Sequence, residues 1–185
     1  MRACALAPTT SIHHTALGSV RTSLGDTRGA LASYERAVAL EEQDRGAVRR
    51  ETLIGRARAR AALNDLEGAL RDLDLACQER ETASGLVSAL LARAEVRLAR
   101  REPSEAVEDL SQALEHAPED AEVHTQRALA RLEGGDTVGA RADLDRAVAL
   151  EPRDGEALFQ RGTLRVLLGE HEGGRRDLTQ ASASD

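Results

Sequence analysis

Residues 121–154 read AEVHTQRALARLEGGDTVGARADLDRAVALEPRD, and this stretch decides the fold. It holds two amphipathic helical patterns on either side of the turn Gly134-Gly135-Asp136, and Pro152 ends the second pattern. The same pattern recurs 34 residues later, from Gly155, and 34 residues earlier, from Val87. A single helix hairpin cannot bury its apolar face, whereas stacked hairpins can. A fixed period of this length therefore predicts a solenoid of repeated hairpins.

The period divides the chain into a leading tail and five repeats. Residues 1–10 are predicted to form a flexible tail and residues 11–185 a single domain, with repeats at 11–49, 50–86, 87–120, 121–154 and 155–185. An insertion at 42–49, before the second repeat, predicts extra helical turns on either side of that joint. A second insertion, 82–86, contains Gly85, which predicts a turn. The helices of the first two repeats are predicted at 12–24, 27–41, 51–63 and 66–80.

Small residues recur at three sites of every repeat, where they let two helices approach closely. The site in the first helix holds Gly18, Ala57, Ala94, Ala128 and Gly162. The two sites in the second helix hold Ala30, Ala69, Ala106, Ala140 and Gly174, and Ala37, Ala76, Ala113, Ala147 and Ala181. The large apolar residue on the same helical face is Tyr34, Leu73, Leu110, Leu144 or Leu178. With Pro118 and Pro152 closing two repeats, the chain resembles the tetratricopeptide repeat from about Ser11 onward.

The resemblance implies an all-α fold, a right-handed α-solenoid of five helix-turn-helix repeats. It also implies a non-catalytic scaffold that binds a peptide or helix of a protein partner in a concave groove formed by the first helices. The exposed lining of this groove would be Thr15, Ser19, Thr22, Glu51, Ile54, Arg58, Ser88, Leu91, Glu95, Glu122, Thr125, Leu129, Glu156, Phe159 and Thr163. Family members that bind a chaperone's C-terminal carboxylate use lysines and asparagines there. This chain has no lysine, and its one asparagine, Asn64, falls in a turn, so that activity is not expected.

A second function is compatible with the same pattern: self-association, or a regulatory or structural role within a larger bacterial protein. The fifth repeat ends at Asp185 directly after its second helix, without the extra solvating helix that family members commonly have. We therefore expect the C-terminal repeat to leave part of an apolar face uncovered, onto which another copy or domain would dock. Light scattering separates the alternatives, because a groove scaffold is a monomer and the second function requires a concentration-dependent dimer.

Composition argues against several classes of partner and location. The formal net charge of -7 disfavours binding to nucleic acid, and Tyr34 and Phe159 are the only large aromatic residues, so no row of rings can stack on bases. All 25 basic residues are arginine, a bias that we interpret as that of a G+C-rich bacterial genome. No signal peptide or membrane-spanning stretch is evident, which predicts a cytoplasmic protein whose two cysteines, Cys4 and Cys77, are free thiols.

The sequence contains no motif for catalysis, for a cofactor or for a metal. A phosphate loop, a G-x-G-x-x-G turn after a strand and a serine nucleophile elbow are all absent, so neither enzyme activity nor a cofactor is expected. The histidines lack metal-ligand spacing, so no metal is expected either; they are His13, His14, His116, His124 and His171. His14 and His124 occupy one repeated site that is apolar in the other repeats, which favours a packing role.

One arginine column is matched by an aspartate column. The arginines, on first helices, are Arg56, Arg93, Arg127 and Arg161, and the aspartates, on second helices, are Asp72, Asp109, Asp143 and Asp177. The first repeat has Leu17 and Ser33 at these two sites. Because charge and counter-charge are present or absent together, we predict an ion pair within each hairpin, for example Arg127 with Asp143.

Two further charged columns follow the repeat. The first holds Arg21, Arg60, Arg97, Arg131 and Arg165, where the family usually has an aromatic residue. It forms either an anion-binding ladder or, as the many neighbouring acids favour, a network of surface ion pairs. The second column places an acid in each turn between helices and holds Asp26, Asp65, Glu102, Asp136 and Glu170. These acids are predicted to cap the helices that follow them.

Overall fold

The computed structural model describes residues 10–45, 48–78 and 82–183. Residues 1–9 of the predicted tail, Cys4 among them, and the end of the helix predicted at 66–80 lie outside the described residues. All regular secondary structure within those ranges is α-helical. The helices are α1 Ser11–Ser23, α2 Thr27–Arg45, α3 Arg50–Ala62, α4 Leu66–Gln78, α5 Ala83–Ala99, α6 Pro103–His116, α7 Ala121–Glu133, α8 Thr137–Leu150, α9 Gly155–Leu167 and α10 His171–Ala181.

The chain divides into two compact units, residues 1–100 and residues 101–185. In unit 1, each of the helices α1 to α4 packs against the next, α4 packs against α5, and α3 also contacts both α1 and α5. In unit 2, the helices α6 to α10 pack consecutively in the same way, and α7 also contacts α9. Within each unit, therefore, first helices of successive hairpins lie side by side. The single domain at 11–185 and the five repeat boundaries stay predictions.

The two insertions lengthen helices. α2 continues to Arg45, which confirms the extra helical turn predicted before the second repeat. The turn predicted at Gly85 is wrong, because α5 already begins at Ala83. Thr82 caps this helix, and its Oγ1 accepts a hydrogen bond from the Gly85 N–H at 3.1 Å. A Cβ at Gly85 would lie 2.4 Å from Arg50 Nη1, so this glycine makes room for the buried arginine rather than for a turn.

Glu41 closes the joint between the first two hairpins. Its buried carboxylate accepts hydrogen bonds from the Arg49 backbone N–H at 2.9 Å, from Arg49 Nε at 2.6 Å and from Thr52 Oγ1 at 3.1 Å. These contacts satisfy a carboxylate that would otherwise be costly to bury. They fix where α3 starts relative to the end of α2.

Acids in three hairpin turns cap the following helices, as predicted. Asp26, Asp65 and Asp136 each accept a hydrogen bond at 2.9 Å from the glycine N–H three residues later. The prediction is wrong for Glu102 and Glu170, whose side chains make no cap hydrogen bond. The longer Glu170 side chain instead reaches Arg141 on the neighbouring hairpin, at 2.6 Å.

The columns of small residues bring paired helices into close contact. At Gly174, an added Cβ would lie 2.6 Å from Val166 Cγ2 and 2.8 Å from the Gly162 carbonyl oxygen, so α10 crosses α9 backbone to backbone. At the adjacent Gly173, an added Cβ would come no closer than 3.5 Å to Arg165 Cδ, which is an ordinary contact. Two neighbouring glycines of one helix therefore have different roles.

We expect alanine to have opposite effects at these two glycines. Both substitutions gain about 1 kcal/mol of helix propensity, but at Gly174 the overpacking costs roughly 1–3 kcal/mol. Urea denaturation followed by circular dichroism should therefore rank Gly173→Ala as more stable than the wild type and Gly174→Ala as less stable than Gly173→Ala. Equal stability of the two variants would contradict the close crossing of α9 and α10.

Candidate functional site

Helices α1 and α3, with the start of α5, line an open cavity of about 560 Å³ in unit 1. Seven of the predicted groove residues line it together: Thr15, Ser19, Thr22, Glu51, Ile54, Arg58 and Ser88. Ile12, Ala16, Ser23, Tyr34 and Gly55 complete the lining. The two other groove residues of unit 1, Leu91 and Glu95, lie on α5 outside this lining. Ile54 is buried, 9% exposed, which corrects the expectation that it is exposed, because it packs into the core beneath the cavity.

Tyr34 reaches the cavity from the second helix of the first hairpin. The side chain is 5% exposed and packs with Ala30 and Ala59. Its ring fits because both flanking residues are glycines: a Cβ at Gly18 would lie 2.8 Å from Tyr34 Cε1, and one at Gly55 would lie 2.4 Å from the same atom. The Tyr34 hydroxyl has no hydrogen-bond partner among the described residues.

Most other hydroxyl groups of the cavity are satisfied by their own helix. Thr15, Thr22, Ser23 and Ser88 each donate to the backbone carbonyl four residues earlier, at 3.0–3.2 Å. Ser19, Glu51 and Arg58, by contrast, have no side-chain partner within the described part of the chain. The polar groups available to a ligand are therefore the hydroxyls of Tyr34 and Ser19, one carboxylate and one guanidinium.

In unit 2, the predicted groove residues are divided among different surroundings. Glu122, Thr125 and Glu156 line an acidic cavity of about 690 Å³, whose remaining lining is Glu119, Asp120, Ala121, Gln126, Glu151 and Asp154. Thr125 is 2% exposed and donates to the Ala121 carbonyl at 3.0 Å, so the expectation that it is exposed is wrong. Phe159 is 51% exposed and lines a third cavity with Glu156, Leu178 and Ala181. Leu129 is half-buried and Thr163 exposed, and neither lines these cavities.

The predicted ion pair of Arg127 with Asp143 is confirmed. Arg127 Nε lies 2.9 Å from Asp143 Oδ2, and Nη2 lies 2.7 Å from Oδ1, so the contact is bidentate. Asp143 is buried, 3% exposed. The same bidentate geometry joins Arg56 to Asp72 and Arg161 to Asp177, at 2.6–2.9 Å. Hydrogen bonds to Asp177 raise the pKa of Arg161 above its ordinary value, against the opposing effect of burial.

The second arginine column converges on the same aspartates. Arg60, Arg131 and Arg165 each place Nη1 2.6–2.8 Å from Oδ2 of the buried aspartate in their own hairpin. In the first hairpin, Arg21 binds Ser33 Oγ at 2.8 Å instead. The anion-binding ladder is therefore wrong for these arginines. The surface network is right for longer contacts to the turn acids, at 3.6–3.9 Å, and for the contact of Arg165 with Asp145 on the neighbouring hairpin, at 3.3 Å. Each second arginine follows the first by four residues, which puts both on one helical face.

His124 joins the cluster around Asp143. Its ring is buried, as a packing role requires, but both ring nitrogens also face acceptors: Nδ1 lies 3.3 Å from Asp143 Oδ1, and Nε2 lies 3.2 Å from the Pro118 carbonyl oxygen. The tautomer determines to which of the two a neutral ring donates. Packing alone was therefore an incomplete prediction. The equivalent residue of the last hairpin is the apolar Leu158, so this histidine contact distinguishes the cluster of α7 and α8.

Within residues 10–45, 48–78 and 82–183, no three histidine, cysteine, aspartate or glutamate side chains are placed to hold a metal ion. None of the described helices combines the length and apolar character that crossing a membrane requires.

The chain is similar in fold to several solved structures. MamA from Desulfovibrio magneticus RS-1 is 19% identical, with a TM-score of 0.74 and coverage of 94% of both chains. Pseudomonas aeruginosa PilF is 17% identical, with a TM-score of 0.75 over 92% of this chain and 74% of that chain. YrrB, a tetratricopeptide-repeat protein with an unusual peptide-binding site, is 16% identical, with a TM-score of 0.64 over 97% of this chain and 88% of that chain.

At these identities the likeness shows the fold alone, an all-α tetratricopeptide-repeat solenoid. No curated protein matches the chain. The sequence profile described as "Tetratricopeptide repeat" matches residues 91–154 and 125–184, about half of the chain, and the sites of small residues in the other half follow the same period. The chain belongs to the tetratricopeptide-repeat family.

Proposed function

We propose that this protein is a non-catalytic cytoplasmic scaffold that binds a segment of a protein partner along the first helices of its hairpins. The observation that carries the proposal is the unit 1 cavity, where seven predicted groove residues meet around an apolar floor. Apolar walls with a few convergent polar groups are typical of a binding site. YrrB, which has a similar fold, has an unusual peptide-binding site, and this supports the same class of ligand. Because the hairpins are stiff, binding costs little ordering of the protein.

Filling the cavity should abolish binding without harming the fold. Ala16 lines the cavity on α1, and its equivalents on α7 and α9 are glutamines, Gln126 and Gln160, so Ala16→Gln introduces a residue that the repeat already accepts. Peptides that bind the wild type are first selected from a displayed random library. We expect Ala16→Gln to lower the affinity for these peptides by about tenfold or more, because the larger side chain overpacks the contact. Fluorescence anisotropy with the selected peptides measures the change.

A matched control carries the same substitution on the opposite helix of the hairpin. Ala32 is exposed on α2, away from the cavity, so Ala32→Gln should leave the affinity unchanged. If no peptide is selected, or if both variants bind as the wild type does, the groove is not the working surface.

The second candidate function is self-association through the last hairpin. The observation that favours it is an open cavity beside α9 and α10, lined by Phe159, Leu178 and Ala181, with Leu167 and Leu168 also exposed nearby in the chain. In this proposal the occupant is a second copy of the chain. If light scattering shows a monomer at all concentrations, self-association is contradicted and the groove scaffold remains as the proposed function.

A further inference from the structure

Tyr34 marks the floor of the unit 1 cavity as a place where a ligand's polar group binds. Tyr34 is 5% exposed, and its hydroxyl oxygen is accessible from the cavity rather than enclosed in the core, so a bound ligand can supply its hydrogen-bond partner. This hydroxyl has none among the described residues, and the residue lines the cavity. The four equivalent residues of the other repeats are leucines, which carry no such group: Leu73, Leu110, Leu144 and Leu178.

Gly55 makes room for the Tyr34 ring and its hydroxyl at the wall of the cavity. A Cβ at Gly55 would lie 2.8 Å from the Tyr34 hydroxyl oxygen and 2.5 Å from Cζ. The equivalent residues of the other repeats have side chains: Ala16, Ala92, Gln126 and Gln160. A side chain at this position would displace the tyrosine ring, so Gly55 is required for the hydroxyl to reach the cavity. Tyrosine and glycine thus occur together in one hairpin pair, where they form a site that the remaining repeats lack.

Two opposite charges lie along α3 on the same cavity. Glu51 and Arg58 both line it, and neither has an ion-pair partner within the described residues. They are seven residues apart, about 10 Å along a helix axis, with Ile54 between them. At the equivalent positions α7 has Glu122 and Leu129, and α9 has Glu156 and Thr163, so α3 alone of these three helices presents an acid and a base.

A bound segment in polyproline II conformation has three residues per turn and advances by about 3.1 Å per residue. Side chains three positions apart therefore lie on the same side of the segment and span the distance between the two charges. On the basis of the proposed function, we propose that the partner segment in unit 1 carries a basic and an acidic residue three positions apart. The basic residue pairs with Glu51 and the acidic one with Arg58. A main-chain carbonyl oxygen between them accepts a hydrogen bond from the Tyr34 hydroxyl.

The experiment uses a set of acetylated and amidated peptides as probes. Each peptide has one lysine and one glutamate in a Gly/Leu/Ala background, separated by one to five positions and in both orders, and a parent peptide has glutamines instead. Fluorescence anisotropy on the full chain should give the highest affinity at a separation of three. Tyr34→Phe should weaken that peptide by roughly two- to tenfold, the loss of one hydrogen bond, and leave the melting temperature unchanged.

A charge exchange tests the order of the two residues. The double variant Glu51→Arg, Arg58→Glu should prefer the peptide in which lysine and glutamate are interchanged, because rim charges of opposite sign fix the register of a ligand. The matched control is Glu35→Arg, Arg71→Glu, which exchanges exposed charges on the second helices α2 and α4. We expect it to retain the wild-type preference.

Two results would overturn the inference while the groove itself stands. One is a set of peptide affinities that do not depend on the number of positions between lysine and glutamate, measured with peptides whose binding is still weakened by Ala16→Gln. The other is an unchanged affinity for Tyr34→Phe together with unchanged order preference in the Glu51→Arg, Arg58→Glu variant. Failure to select any peptide from the random library would instead remove the proposed function, and this inference with it.

Discussion

Replacing Asp143 by alanine is expected to lower the free energy of unfolding of unit 2 by about 3–5 kcal/mol, the cost of breaking a buried ion pair by removing one partner. Three side chains lose their acceptor at once: Arg127, Arg131 and His124. Arg127 is then left partly buried inside the hairpin, and Arg131 keeps only its 3.6 Å contact with Asp136 as an ion pair. Urea denaturation measures the loss, and hydrogen exchange in α7 and α8 shows whether it falls on this hairpin.

The control lies on the same helix. Glu133 is exposed near the end of α7 and has no side-chain partner within the described chain, so Glu133→Ala should change stability by about 0.5 kcal/mol or less. A double-mutant cycle of Arg127 and Asp143 then gives the coupling between the two residues. A loss of only about 0–1 kcal/mol in Asp143→Ala would mean that the cluster has the energetics of an exposed pair.

Truncating Tyr34 to alanine is expected to destabilise unit 1 by about 3–5 kcal/mol, as for other large aromatic residues in cores. The cavity left behind cannot be filled by its neighbours, because Gly18 and Gly55 flank the ring and have no side chains. Tyr34→Leu should also be destabilising, although every other repeat has leucine at this position. Thermal and urea denaturation of both variants against the wild type measure these changes.

Gly55, which lies beside the Tyr34 ring, provides the control. In the wild type, Gly55→Ala should destabilise, since its Cβ would lie 2.4 Å from Tyr34 Cε1. In the Tyr34→Leu background the same substitution should stabilise, since it fills vacant space and raises helix propensity by about 1 kcal/mol. The same sign of effect in both backgrounds would refute the fit between this tyrosine and its two glycines.

The helices and the ion pairs were predictable from the sequence for one reason. Small, apolar and charged residues recur at the same sites of successive repeats. The first helix was predicted at 12–24 and begins at Ser11, and the third was predicted at 51–63 and begins at Arg50. Arg127 with Asp143 was predictable because the first repeat lacks both charges together. Two sites whose charges are present together or absent together are expected to be in contact, which a single arginine could not indicate.

Contacts that depend on a single repeat, or on side-chain direction, were not predictable in this way. Arg131 was assigned to the surface, although its spacing of four from Arg127 was a signal that both reach Asp143. Glu41 occurs at an inserted joint, where no other repeat offers a comparison. Tyr34 was predicted as one of the large apolar residues that recur in the second helices. That its hydroxyl lines a cavity without a hydrogen-bond partner among the described residues follows only from the arrangement of α1, α2 and α3 in the structure.

Three buried aspartates each receive two arginines from their own hairpin. Asp143 and its arginines come from α7 and α8, Asp72 and its arginines from α3 and α4, and Asp177 and its arginines from α9 and α10. A gene duplication that copies one hairpin therefore copies every member of the cluster, and a deletion removes all of them. Duplication or deletion of one of these hairpins during evolution therefore leaves none of the three buried aspartates without its arginines.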